Sequence, residues 1–230
     1  MLLSQHYSMD FDNIAIGGLN NDEIFFRTIE AALTNRYKLI VVMWSELGRK
    51  CAYYADNNVD DFTMLNYGTP CGFQCSNSEV QTYSKLYYTY FNNQYMALKY
   101  WLMQIISLQT LFYHNNQKFL FIKGFENYLL DFSRVKYTAD KFIMIMMSDD
   151  LKQILDFHNR PDYYIQEKIK TIKNLLQQID KINWVNFNSD SFFNMGVDTA
   201  DDQSHPGPIT NKLLLDNIIE HITKNNLLNL

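Results

Sequence analysis

The sequence predicts an α/β protein: one domain over residues 1–230, built as helices on both faces of a parallel sheet. Three observations carry this expectation. "YKLIVVMWS" (37–45) and "KFLFIKGF" (118–125) are continuous apolar runs, the pattern of strands buried on both faces. "DNIAIG" (12–17), a helical segment at 19–36 and the first of those runs follow one another within some thirty residues. That order is a βαβ unit, whose strands are parallel and whose crossover is right-handed. At 230 residues and 47% apolar content, the chain can bury a sizeable single core.

Taken in order, residues 12–17 read as a short strand running into the tight turn of Gly17-Gly18. The helix at 19–36 is capped by Asn20, Asn21 or Asp22. Asp22 and Glu23 suit its positive end, and Ile24, Phe25, Thr28, Ile29 and Ala32 make one face. After the strand at 37–45, residues 46–82 read as an irregular insertion, punctuated by Asn57-Asn58, Gly68-Thr69-Pro70 and Gly72. It is either a covering loop or a specificity element. A long helix at about 79–114 carries Tyr83, Tyr87, Tyr90, Phe91, Tyr95 and Trp101 at helical spacing, which reads as core. Beyond the strand at 118–125, residues 139–155 read as a helix with methionines as packing filler. Residues 162–182 form an amphipathic helix, 183–187 a short strand and 209–228 the closing helix.

A net charge of −5 with no Lys/Arg run argues against a phosphate-binding surface, so no nucleic-acid partner is expected. The amino-terminal segment lacks a basic region leading into an apolar one, so no signal peptide is expected. The greasiest stretch, 100–114, is broken by Gln104, Ser107 and Gln109 and is too short to span a bilayer. A soluble chain without a membrane partner is expected. Cys51, Cys71 and Cys75 cannot all pair within one chain, and Cys71 and Cys75 hold a metal only if further ligands join them. They read as ordinary thiols, with no metal or cofactor.

In an open parallel sheet, ligands sit beyond the carboxyl ends of the strands. Three segments meet that condition. Gly18 can turn its N–H toward a developing oxyanion and Asn20 can add an amide donor. Equally, the glycines make a tight turn and Asn20 caps the helix. Asp202 and His205, followed by Pro206-Gly207, can fold so that the carboxylate holds one imidazole nitrogen while the other acts as base. Taken alone, that spacing reads more readily as a surface loop with a capping Asp, and Asp198 or Asp201 can take the orienting role. Trp44, Ser45 and Arg49 close the buried strand. Arg49 binds an anionic substrate group or pairs with Glu46, and Ser45 shows no clear claim to be a nucleophile. His114, His158 and His221 read as solvated helix positions.

Together these segments resemble the SGNH (GDSL-like) hydrolase superfamily. "NIAIGGLNND" (13–22) is similar to its second block and implies Gly18 as the oxyanion-hole glycine. "DQSHPGPITNKLLLDNII" (202–219) is similar to its fifth block, Asp-x-x-His-Pro before the last helix, and implies His205 as base and Asp202 as its orienter. "KLIVVMWSELGR" (38–49) stands where the third block belongs and is similar to a Trp-Ser/Thr-x-x-x-Arg variant of phage and viral relatives. The resemblance implies a three-layer α/β/α flavodoxin-like fold and an esterase acting on an acyl group carried by a carbohydrate. It also implies a cytoplasmic or virion-associated location.

Two features depart from the pattern. No Gly-Asp-Ser segment precedes Asn13, where only Ser4 and Ser8 are available, and Trp44-Ser45-Glu46 replaces Gly-x-Asn-Asp. The expectation is a hydrolase fold without its first strand and nucleophile, incomplete or inactive, whose open sheet edge favours a homodimer. The alternative is a non-catalytic binding or structural module that uses the 46–82 insertion and the long helix as its surface.

Overall fold

The two apolar runs pair with each other. The structure is a computed structural model that describes residues 3–16, 19–47, 50–56, 59–65, 82, 86, 94–124, 162–185, 192, 195–201 and 205–228. The helices bounded within the described residues are α1 (Leu3–Tyr7), α2 (Asn21–Leu33), α3 (Gln94–His114), α4 (Asp162–Leu176) and α5 (Pro208–Lys224). Its strands are β1 (Leu39–Trp44), β2 (Lys50–Asp56), β3 (Val59–Leu65) and β4 (Lys118–Lys123). β1 and β4 run parallel, from Leu39 opposite Lys118 to Trp44 opposite Lys123. Phe121 bridges onward to Trp184, also in parallel sense. Its N–H donates to the Asn183 carbonyl (2.7 Å) and its carbonyl accepts from Val185 (3.0 Å). Of the strand expected at 183–187, the described residues 183–185 form a bridge at Trp184.

Alternation sends neighbouring side chains to opposite faces of this sheet. Ile40, Val42, Trp44, Phe119 and Phe121 join a core with Leu98, Trp101 and Ile105 of α3 and Ile165, Ile169 and Ile172 of α4. Leu120 and Ile122 join Ile218 and Ile222 of α5, with Leu39, Met43 and Tyr7 packed around them. Helices thus cover both faces. All three tryptophans meet on the first face: Trp101 stands edge-on to Trp44 (centroids 6.3 Å apart) and to Trp184 (6.2 Å). Burial on both faces holds for β4 but not for β1, where Val41 is 39% exposed. Among the described residues β1 has no strand on its outer side, so that face is only partly covered.

Three further expectations change. Residues 12–16 form no strand, and Phe11, Ile14 and Ile16 are exposed. Isoleucines suit a pleated surface, but a strand exists only with a partner, and no backbone bond joins this segment to β1 among the described residues. The segment is instead tied at the start of β1, where the Asp12 carboxylate accepts from Arg36 Nη2 (2.9 Å) and the Tyr37 hydroxyl (3.0 Å). Residues 46–82 are not wholly irregular, because β2 and β3 form an antiparallel hairpin from Lys50 opposite Leu65 to Asp56 opposite Val59. That register leaves the two residues Asn57 and Asn58 as the connection, a hairpin signal when it separates two strand-length runs. The expected helix at 139–155, Cys71, Cys75 and most of the aromatic stripe lie outside the described residues. None of the described helices is long and apolar enough to cross a membrane.

His221 is the third change, a buried residue rather than a solvated one. From the end of α5 its Nε2 lies 2.6 Å from the Ile182 carbonyl, so that nitrogen carries the proton and donates. Burial pushes its pKa below the usual histidine range, against the raising effect of the Ile182 bond and with help from Lys224. A depressed folded value means the neutral ring is favoured by folding. Its stability contribution is full above the unfolded value of about 6.5 and is lost as pH falls through the lower folded value. Urea unfolding from pH 7.5 down to 5 is expected to show that decline, and His221→Gln to flatten it.

Candidate functional site

The position of α5 decides which sheet edge can carry chemistry. His221, near its last turn, touches Ile182 at the amino end of the Trp184 bridge. Seventeen helical residues span about 26 Å, against about 20 Å for a six-residue strand. The helix runs back against the strands, so its start lies at their carboxyl ends. The returning chain is fixed there too, since Phe192 N–H donates to the Lys123 carbonyl (2.9 Å). Asn20, Asn21, Ser45, Gly124 and the residues before α5 therefore share one edge.

Before α5 the chain makes a narrow turnback. Thr199 bridges Pro206 antiparallel, Ala200 N–H donates to the His205 carbonyl (2.8 Å), and Gly207 N–H donates to the Asp198 carbonyl (3.0 Å). Gly207 is the N-cap residue and has no side chain to offer. Asp198 supplies the cap from nine residues away: its carboxylate accepts from the Ile209 N–H (2.9 Å), the Thr210 N–H (2.8 Å) and Thr210 Oγ1 (2.7 Å). Desolvation pushes its pKa up, but the Thr210 hydroxyl and these amides outweigh that and hold it below the usual carboxylate value. Asp198 is thus committed to capping α5. His205 closes the turn with an exposed side chain. Asp202 lies outside the described residues.

Gly207 has an ordinary φ of −81°, so its role is room rather than conformation. A Cβ there would stand 2.5 Å from Asp198 Oδ2 and 2.8 Å from the Thr199 carbonyl oxygen. Gly207→Ala is expected to force the turnback open, lowering Tm and speeding amide exchange at Ile209 and Thr210. An unchanged exchange rate at those amides would show that the cap survives without the close approach.

At the other end of the edge, Asn20 caps α2. Its Oδ1 accepts from the Glu23 N–H (2.9 Å), its Nδ2 faces Asp22 Oδ2 (3.4 Å), and it is 2% exposed. The capping alternative is what its geometry shows, and its amide is engaged at both ends. Asn21 is the residue that sequence reasoning missed. Its Oδ1 accepts the Ser45 N–H (2.8 Å), while its Nδ2 donates to the carbonyls of Ser45 (3.2 Å) and Glu46 (3.4 Å). One buried side chain does for the end of β1 what a neighbouring strand would. Asn21→Ala is expected to cost about 1–3 kcal/mol, because it leaves the Ser45 N–H and two carbonyls without their partner. Exchange of the Ser45 amide reports this directly.

Trp44 is 1% exposed and packs in the aromatic core, so it serves the fold rather than facing a ligand. Ser45 is 8% exposed, and its Oγ is buried without a hydrogen-bond partner among the described residues. An unsatisfied buried hydroxyl costs about 1–3 kcal/mol and calls for an explanation. Gly18 and Arg49 lie outside the described residues. Among the described residues, no three His, Cys, Asp or Glu side chains gather as metal ligands. No protein-family model matches the chain, and neither does any curated protein or solved structure.

Proposed function

We propose that the chain is an SGNH-like ester hydrolase on a three-layer flavodoxin-like fold, acting on an acyl group carried by a carbohydrate. His205 is the base, Asp202 its orienter, and Gly18 N–H an oxyanion donor. The observation that carries this reading is the turnback at 198–207, which holds His205 ahead of α5 on the edge shared with Ser45 and the α2 N-terminus. A base in that position can take a proton from a nucleophile at a neighbouring strand end. The positive end of α2 favours the negative charge that builds on an ester carbonyl oxygen. His205→Ala is expected to remove hydrolysis of p-nitrophenyl acetate, and unchanged turnover would contradict the assignment.

One observation favours the non-catalytic reading. Phe25, Tyr100 and Met103 line a shallow groove between α2 and α3, together with Asp22, Gln104 and Ser107. Gln104 Nε2 donates to Asp22 Oδ1 (2.7 Å) across it. Saccharide binding by both wild type and His205→Ala, with hydrolysis by neither, would support that reading.

A further inference from the structure

We propose that Ser45 is the nucleophile of this site, an inference that rests on the ester-hydrolase reading and supplies the group its sequence pattern lacks. Ser45 follows the last residue of β1, at the carboxyl edge where the base stands. Ile40, Val42 and Trp44 point to the face covered by α3 and α4, while Leu39 and Met43 point to the face covered by α5. If the two-residue alternation carries one residue past the end of β1, Ser45 falls with Met43, toward the side covered by α5.

Its backbone is fixed on both sides by Asn21, through the 2.8 Å bond to its N–H and the 3.2 Å bond from the Asn21 amide to its carbonyl. That clamp leaves little freedom at the hydroxyl-bearing residue, which is what a nucleophile held for attack requires. Ser45 is 8% exposed, and its Oγ has no hydrogen-bond partner among the described residues. Catalysis is one of the uses that keeps such a group in a fold, and of the orphaned buried side-chain groups among the described residues this is the one with a nucleophilic oxygen at the carboxyl edge of the sheet. The same clamp brings the α2 N-terminus alongside, where the first amides of the helix have no acceptor within it. Ser4 and Ser8 belong instead to the segment that reaches the amino end of β1 at Asp12.

Ser45 Oγ bonds to the ester carbonyl carbon as its proton passes to His205. The adduct collapses, the C–O bond to the sugar breaks, and His205 returns the proton to the departing oxygen. Water, giving a proton to His205, then attacks the acyl-Ser45 carbonyl. His205 passes that proton to Ser45 Oγ as the acyl C–O bond breaks, which releases the carboxylic acid and restores the serine O–H.

The test is to treat full-length protein with diisopropyl fluorophosphate and to map the adduct in the tryptic peptide of residues 39–49. Hydrolysis of p-nitrophenyl acetate is measured in parallel for wild type, Ser45→Ala and His205→Ala. The expected result is a diisopropylphosphoryl group on Ser45, reduced at least tenfold in His205→Ala. Turnover should be lost in Ser45→Ala with Tm unchanged or raised, since that substitution removes no hydrogen bond seen among the described residues and relieves a buried hydroxyl of its desolvation cost. Turnover that needs His205 but survives in Ser45→Ala, or an adduct on another serine, would overturn Ser45 and leave the hydrolase reading standing. Neither turnover nor adduct in wild type would overturn both.

Discussion

Phe121→Ala is expected to destabilise the protein by about 3–5 kcal/mol, the range for emptying a fully enclosed aromatic site. Phe121 is 0% exposed and sits in the middle of β4. Its ring centroid lies 5.9 Å from Trp44, 6.3 Å from Phe112, 5.0 Å from Phe119 and 5.3 Å from Trp184. Its backbone pairs with Val42 of β1 on one side and bonds Asn183 and Val185 on the other. Rigid rings from β1, β4, α3 and the Trp184 bridge surround it, so the site cannot collapse far when the ring is removed. Urea titration is the measurement. A loss under about 1.5 kcal/mol would mean that the neighbours relax freely and that Phe121 is not the centre of the core.

His205→Ala is expected to lower kcat/KM for p-nitrophenyl acetate by about a thousandfold or more, as removal of a general base acting with a serine does. Tm is expected to stay within about 1 °C, because the side chain is exposed and a surface change of that kind shifts stability little. His205→Gln keeps a polar side chain without a usable base, so it should be as inactive as the alanine form. A variant that loses Tm along with activity would point to a structural role in the turnback instead. Asp202→Asn should fall between wild type and His205→Ala if the carboxylate only orients the ring.

Much of the scaffold was legible because it depends on local signals. Asn20 before Asp22-Glu23 and an apolar face marked the start of α2, and the runs at 37–45 and 118–125 marked β1 and β4. Residues 12–16 misled because isoleucine content measures fit to a pleated surface and not the presence of a neighbour. The β2–β3 hairpin was missed although Asn57-Asn58 separates two runs of equal length. Charged and aromatic residues are mixed there, and no clean alternation announces which face is buried.

At the site, His205 stood out by its Asp-x-x-His-Pro setting. The division of labour among the acids did not, because Asp198 caps α5 across a turnback that only the fold creates. Asn21 was invisible for a similar reason. An asparagine beside an N-cap gives no sign that its amide will bond a strand end twenty-four residues later. Ser45 gained a claim only once its hydroxyl was seen to be buried and without a partner among the described residues.

The central claim is that Ser45, Asn21 and His205 share the carboxyl edge of the parallel sheet. A nitroxide attached at His205→Cys, with Cys51, Cys71 and Cys75 replaced by serine, tests it through paramagnetic broadening of backbone amide signals. The expected result is strong broadening at Asn21, Ser45 and Gly124, with Gln117 and Asn183 at the opposite edge spared. Broadening at Gln117 and Asn183 with Ser45 untouched would place the histidine at the wrong end of the sheet and end the case for catalysis there.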